Sequence, residues 1–174
     1  RMEDAEYVLA GQGSVVANME AVADPLRSTR GLRVGVLNLT MFRPFPADLV
    51  SELLRGRTAV VVLERTDQPL AVDPPLLREI RAALSQAVEN GRATSRQKRF
   101  DGHLPFPKLP ALQPDEVPDF YSGGFGFGSR DLQPGDLVAA VENMLETGAR
   151  QRQFYLGIDF IRKGTKLPKL QIWQ

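Results

Sequence analysis

Strand-like and helix-like segments alternate through the whole chain, which predicts an α/β protein: three layers around an open, mostly parallel sheet. Two further observations support that class. Thr58 to Leu63 (TAVVVL) is an unbroken apolar run, the pattern of a strand covered on both faces in a parallel sheet. Glycine and proline punctuate the chain where such strands must turn into helices, as at Gly11-Gln12-Gly13-Ser14 and Phe42-Arg43-Pro44-Phe45-Pro46. At 174 residues, 43% hydrophobic and 25% charged, the chain fits one domain with a sizeable core.

The elements follow in order. Glu6 to Ala10 (EYVLA) is a short apolar strand ending at the glycine turn. Ser14 is placed to cap a helix in which Val15, Met19, Val22 and Leu26 recur at helical spacing, and Asp24-Pro25 should kink or end it. After Gly31 comes a β-rich second strand, Leu32 to Leu39. A short helix from Ala47 to Leu54 precedes the TAVVVL strand, and Leu77, Ile80, Leu84 and Val88 then mark an amphipathic helix. That pattern breaks at Asn90-Gly91. From there to Pro118 prolines at 105, 107, 110, 114 and 118 predict an irregular insertion over 91–118. Asp119 to Ser122 is a strand leading into the glycine run FYSGGFGFGSRDL (Phe120 to Leu132). A helix over Pro134 to Glu146 follows, with Pro134 at its first position and Gly148 as its cap. A last strand, Gln153 to Ile158, and a tail over 160–174 finish a single domain spanning 1–174.

Composition removes several function classes. A net charge of +1 gives no electrostatic reason to expect nucleic acid or an anionic membrane as partner. With no cysteine and one histidine, the chain supplies no thiolate for catalysis, no ligand for an iron–sulfur cluster and no usual zinc site. No apolar run approaches a membrane span and no signal peptide is visible, so a cytoplasmic location is expected. Gly11-Gln12-Gly13 stands where a dinucleotide fingerprint would, but position 16 is Val, and Asn38-Leu39-Thr40 lacks the acid that would hold a ribose hydroxyl. The glycines of FYSGGFGFGSRDL lack the lysine of a P-loop, and the next helix starts too late to aim its N-terminus at them. They read as a strand and turn stripped of side chains for close packing. His103 reads as a loop residue and Arg96-Gln97-Lys98-Arg99 as a solvated face. Glu64-Arg65-Thr66-Asp67 ends a buried strand, where open α/β sheets place their sites; Arg65 there is expected to tie loops together. No catalytic, cofactor-binding or metal-ligating set is assigned to this chain.

Three segments in order carry a resemblance: Asp4 to Val15 (DAEYVLAGQGSV), Val34 to Pro46 (VGVLNLTMFRPFP) followed by Val60 to Thr66 (VVVLERT), and Gly123 to Leu137 (GGFGFGSRDLQPGDL). Together they resemble domain II of pyruvate:ferredoxin oxidoreductase, which is similar to the C-terminal domain of transketolase, a Rossmann-like fold. The resemblance covers most of the chain outside the proline-rich segment. It implies a domain without its own active site, within an enzyme that decarboxylates a 2-oxoacid oxidatively to an acyl-CoA. Such a holoenzyme uses thiamine diphosphate with Mg, coenzyme A and iron–sulfur clusters, and passes electrons to ferredoxin or flavodoxin. Its partners would be other domains or subunits of the same oxidoreductase. The positions matching the family's motifs are expected at interdomain contacts: Arg43, Pro44, Arg65, Thr66, Gly126 and Gly128, with the two arginines suited to fixed polar interfaces.

Departures from the family pattern carry expectations of their own. Pro69 to Leu76 replaces both glycines of a family loop, which should therefore be reshaped. Gln133 stands where Ser or Thr would cap the last helix, a loss of ~1 kcal/mol. Two alternatives stay open: a free-standing nucleotide- or CoA-binding module using the Gly11 and Gly123 turns, or a regulatory domain of another thiamine-dependent enzyme.

Overall fold

A computed structural model describes residues 2–68, 70–95 and 103–158; the expected tail over 160–174 and the cluster Arg96 to Arg99 lie outside the described residues. The strands are β1 (Tyr7–Gly11), β2 (Val34–Asn38), β3 (Ala59–Glu64), β4 (Asp119–Gly124) and β5 (Gln153–Tyr155). The helices are α1 (Val15–Arg30), α2 (Ala47–Leu54), α3 (Pro75–Ser95) and α4 (Pro134–Met144). The five strands pair in the order β2-β1-β3-β4-β5, every neighbour parallel, so the expected α/β class holds and the sheet is parallel throughout.

The apolar run of β3 explains the layering. Residues Ala59 to Leu63 are at most 1% exposed, and their alternation feeds two separate cores. Val61 and Leu63 join Leu9, Tyr121 and Phe154 under α1 and α4. Val60 and Val62 join Val8, Ala10 and Phe120 under α2 and α3. Each buried Val or Leu contributes ~1.5–3 kcal/mol, so this one strand anchors both layers.

Several local expectations change. α1 runs through Pro25 to Arg30, because Pro25 faces solvent while Val22, Ala23 and Leu26 are buried on the sheet. That packing outweighs the ~3 kcal/mol a proline costs inside a helix. Ser14 occupies the N-cap position with helical torsions and makes no side-chain capping bond. α4 ends at Met144, before Glu146, with Leu145 at its cap; Gly148 serves a following turn, its N–H donating to the Leu145 carbonyl. At the other end of α4 the loss expected from Gln133 is offset, since the Asp136 carboxylate accepts the Gln133 N–H at 2.9 Å.

The largest change is at Asn90-Gly91, where no break occurs. α3 continues to Ser95, and the two residues hold the proline-rich segment instead. The buried Asn90 carboxamide donates to the carbonyls of Phe106 (2.8 Å) and Leu109 (2.9 Å) and accepts the Phe106 N–H at 3.0 Å. Gly91 leaves room for the backbone of Leu112 to cross the helix, and the Leu112 N–H donates to the Ala87 carbonyl at 3.0 Å. Residues 103–118 include one short 3-10 turn, Pro114–Glu116, and within them Leu109 and Leu112 are buried.

Candidate functional site

The strand order puts a topological switch point at β1 and β3, the place where ligands and partners most often meet open α/β sheets. Loops from the carboxyl ends of β2, β3 and β4 bring the residues that match the family's motifs to this one edge. Arg43 and Pro44 follow β2, Arg65 and Thr66 follow β3, and Gly126 and Gly128 follow β4. The glycine run behaves as the sequence suggests: β4 extends through Gly124, and a Cβ at Gly123 would stand 2.5 Å from Leu63 Cδ2 and 2.9 Å from Phe154 Cε2.

A crevice of about 290 Å³ opens here between Ser14, Asn18, Arg65, Gly126, Arg130 and Asp131. Gly126 has φ +73°, and a Cβ there would meet Arg65 Nε at 2.8 Å, so the arginine lies flat along bare backbone. Arg65 was expected to tie loops together, yet among the described residues its guanidinium has no hydrogen-bond or ion-pair partner. Arg130 donates to the Gly157 carbonyl at 3.3 Å. Arg43 is engaged within the chain: it pairs with Glu79 at 2.9 Å, and its guanidinium lies 4.3 Å from the centre of the Phe42 ring. Chemically, the crevice offers positive charge beside the N-terminus of α1, an arrangement that attracts a carboxylate or phosphate.

The acids of the β3 loop are already committed. Glu64 accepts the N–H groups of Leu76 (2.7 Å) and Leu77 (3.2 Å) and so caps α3 from the end of the strand. Burial pushes its carboxyl above the ordinary range, against the pull of those two N–H groups. Asp73 pairs with Arg81 at 3.0 Å. Asp67 accepts the Tyr155 hydroxyl at 2.7 Å; burial, with Asp67 second, pushes that phenol up to about 12. Gln153 donates to the Val72 carbonyl at 3.1 Å, tying Val72 of the loop after β3 to β5. Among the described residues no group of three or more His, Cys, Asp or Glu is placed to hold a metal ion. His103 is exposed on the proline-rich segment. No helix among the described residues is long and apolar enough to cross a membrane.

What the sequence reading missed is the apolar character of this edge. Among the described residues the exposed large hydrophobics are Met41, Leu49, Leu70 and Val72, all on the loops after β2 and β3 or in the first turn of α2. Leu70 is 102% exposed and Val72 86%. Their spacing matches no helix or strand period, so only the fold places them on loops at the carboxyl ends of the strands.

The fold is thus a parallel α/β sheet whose carboxyl edge carries Arg65 together with exposed Met41, Leu49, Leu70 and Val72. The chain belongs to the family of pyruvate:ferredoxin oxidoreductase core domain II, whose model matches residues 5–108. It is 31% identical over 159 residues to the pyruvate synthase subunit PorA of Thermotoga maritima, covering 91% of this chain and 33% of that subunit. It is 32% identical over 155 residues to the probable pyruvate-flavodoxin oxidoreductase of Escherichia coli, covering 88% of this chain and 11% of that protein. A third relative, the pyruvate-flavodoxin oxidoreductase of Klebsiella pneumoniae, is 29% identical over 97% of this chain and 12% of its own length. The chain therefore spans a third or less of these relatives.

Proposed function

We propose that the chain is a non-catalytic, transketolase-C-like docking domain of a cytoplasmic, thiamine-diphosphate-dependent 2-oxoacid:acceptor oxidoreductase, with pyruvate as the substrate the relatives' names favour. The supporting observation is the carboxyl edge: the Arg65 guanidinium, unpaired among the described residues, lies along Gly126, and exposed Met41, Leu49, Leu70 and Val72 stand on the loops after β2 and β3 or in the first turn of α2. Apolar residues gathered this way mark an interface, and an arginine at such an interface meets a carboxylate of the neighbouring domain.

The holoenzyme would use thiamine diphosphate with Mg, coenzyme A and iron–sulfur clusters, and hand its electrons to ferredoxin or flavodoxin. This chain's residues do not fit the cluster, since it contains no cysteine. They do not fit a magnesium diphosphate at the β3 loop either, because Glu64, Asp67 and Asp73 are bonded to α3, Tyr155 and Arg81. The test uses the full enzyme with Arg65→Ala and Leu70→Asp. Association of the domains, read by sedimentation, should weaken about tenfold, and pyruvate-dependent reduction of a viologen dye should fall in parallel. Unchanged assembly and activity in both variants would sink the reading.

A further inference from the structure

A second surface lies away from the carboxyl edge. Arg81, Leu84, Ser85, Val88 and Arg92 recur at helical spacing along one stripe of α3, facing the start of β4. With Pro114, Val117 and Pro118 as the opposite wall they frame a groove of about 720 Å³ whose floor is the largely buried Leu84, Val88 and Phe120. Among the described residues Phe120 of β4 joins the core under α2 and α3, whereas no β5 residue does.

The rim of the groove is cationic and partly fixed in place. Arg81 pairs with Asp73 at 3.0 Å, its guanidinium 5.0 Å from the centre of the Phe120 ring. Arg152 donates to the Phe120 carbonyl at 3.2 Å and to Asp119 at 3.0 Å, and lies 4.6 Å from the Tyr121 ring centre. Asp119 also answers Arg150, at 2.8 Å, so one carboxylate serves two guanidiniums. Arg92 has no hydrogen-bond or ion-pair partner among the described residues. The rim is thus left with a surplus of positive charge above an apolar floor.

We propose that this groove is a second docking site, taken by a segment of a neighbouring domain or subunit that carries carboxylates beside apolar side chains. The proposal rests on the chain being one domain of a larger enzyme. Charge complementarity selects the occupant: guanidiniums at the rim pair with carboxylates while apolar side chains settle on Leu84, Val88 and Phe120. The chain's own residues beyond Ile158 have the wrong sign, with Arg162, Lys163, Lys166 and Lys169 against a single Asp159.

A photo-cross-linking amino acid placed at Ser85, exposed on the groove wall, tests this in the full-length enzyme; a second probe at Leu49 reports on the carboxyl edge. The Ser85 probe should cross-link to an acidic segment outside residues 1–174, and Arg92→Glu with Arg152→Glu should cut that yield about tenfold. Circular dichroism of the same variants confirms that the fold survives. Cross-links to residues 159–174, to another copy of this chain, or to nothing overturn the proposal, as does a yield indifferent to charge reversal. If the Leu49 probe alone finds a neighbouring domain, only the groove assignment fails; if neither does, the docking-domain reading falls as well.

Discussion

Replacing Gly91 with alanine separates two descriptions of α3 by the sign of a stability change. In an ordinary helix interior the substitution stabilises by about 1 kcal/mol, because alanine loses less backbone freedom on folding. Here the added Cβ would stand 2.7 Å from the Leu112 carbonyl carbon and 3.3 Å from its nitrogen. Leu112 is wholly buried and bonded to Ala87, so its backbone yields only by giving up that bond and its packing. Overpacking of this kind costs about 1–3 kcal/mol. A shift large enough to relieve it strands the Asn90 carboxamide, at about 1–3 kcal/mol more. Set against the propensity gain of about 1 kcal/mol, the expected net loss is about 1–5 kcal/mol. At a urea slope of ~2 kcal/mol per M, the unfolding midpoint falls by about 0.5–2.5 M. Hydrogen exchange should quicken across 103–112 before it does in β3. A midpoint equal to or above that of the unmodified chain would refute the crossing of Leu112 over Gly91.

Further outcomes follow from the carboxyl edge. Burial raises the folded-state pKa of Glu64, so the folded chain holds this proton more tightly than the unfolded one. Its contribution is therefore full at low pH and is lost as pH rises from the ordinary 4.5 through the raised folded value. Glu64→Gln should abolish that loss, so its urea midpoint minus that of the native chain should grow with pH across the window; a flat or opposite trend contradicts the burial account. Gly126→Ala places a Cβ-bearing residue at φ +73° and displaces Arg65. It should cost about 1–2 kcal/mol of stability, read by thermal unfolding, and weaken domain assembly as Arg65→Ala does. Intact assembly would show that the arginine's seat on Gly126 is irrelevant to docking.

The layered fold was legible because β3 and the helix periodicities are local signals, each contained in a few neighbouring residues. The residues matching the family's motifs fell on one edge because parallel strands deliver every following loop to the same end of the sheet. The boundary of α3 was not legible: Asn90-Gly91 reads as a stop signal, and its partners, Phe106, Leu109 and Leu112, lie 16 to 21 positions further on. Pro25 failed as a helix end for a related reason, since only the packed structure shows that its ring faces water. The capping role of Glu64 was hidden too, because the N–H groups it accepts belong to Leu76 and Leu77, across a loop.

The division of the sheet into two cores sets an order on its synthesis. The layer under α2 and α3 draws on segments complete by Phe120, whereas the other layer waits for α4 and β5. Arg30 on α1 finds Glu142 on α4, at 2.8 Å, only across 112 positions of chain. A nascent chain emerged as far as Leu132 would carry one finished face, and one on which Leu9, Val61, Leu63 and Tyr121 lie half covered by α1 alone. Through that interval the exposed face is the chain's aggregation hazard. Slow codons or a chaperone acting near residues 120–135 would govern its yield more than any change in the strands themselves.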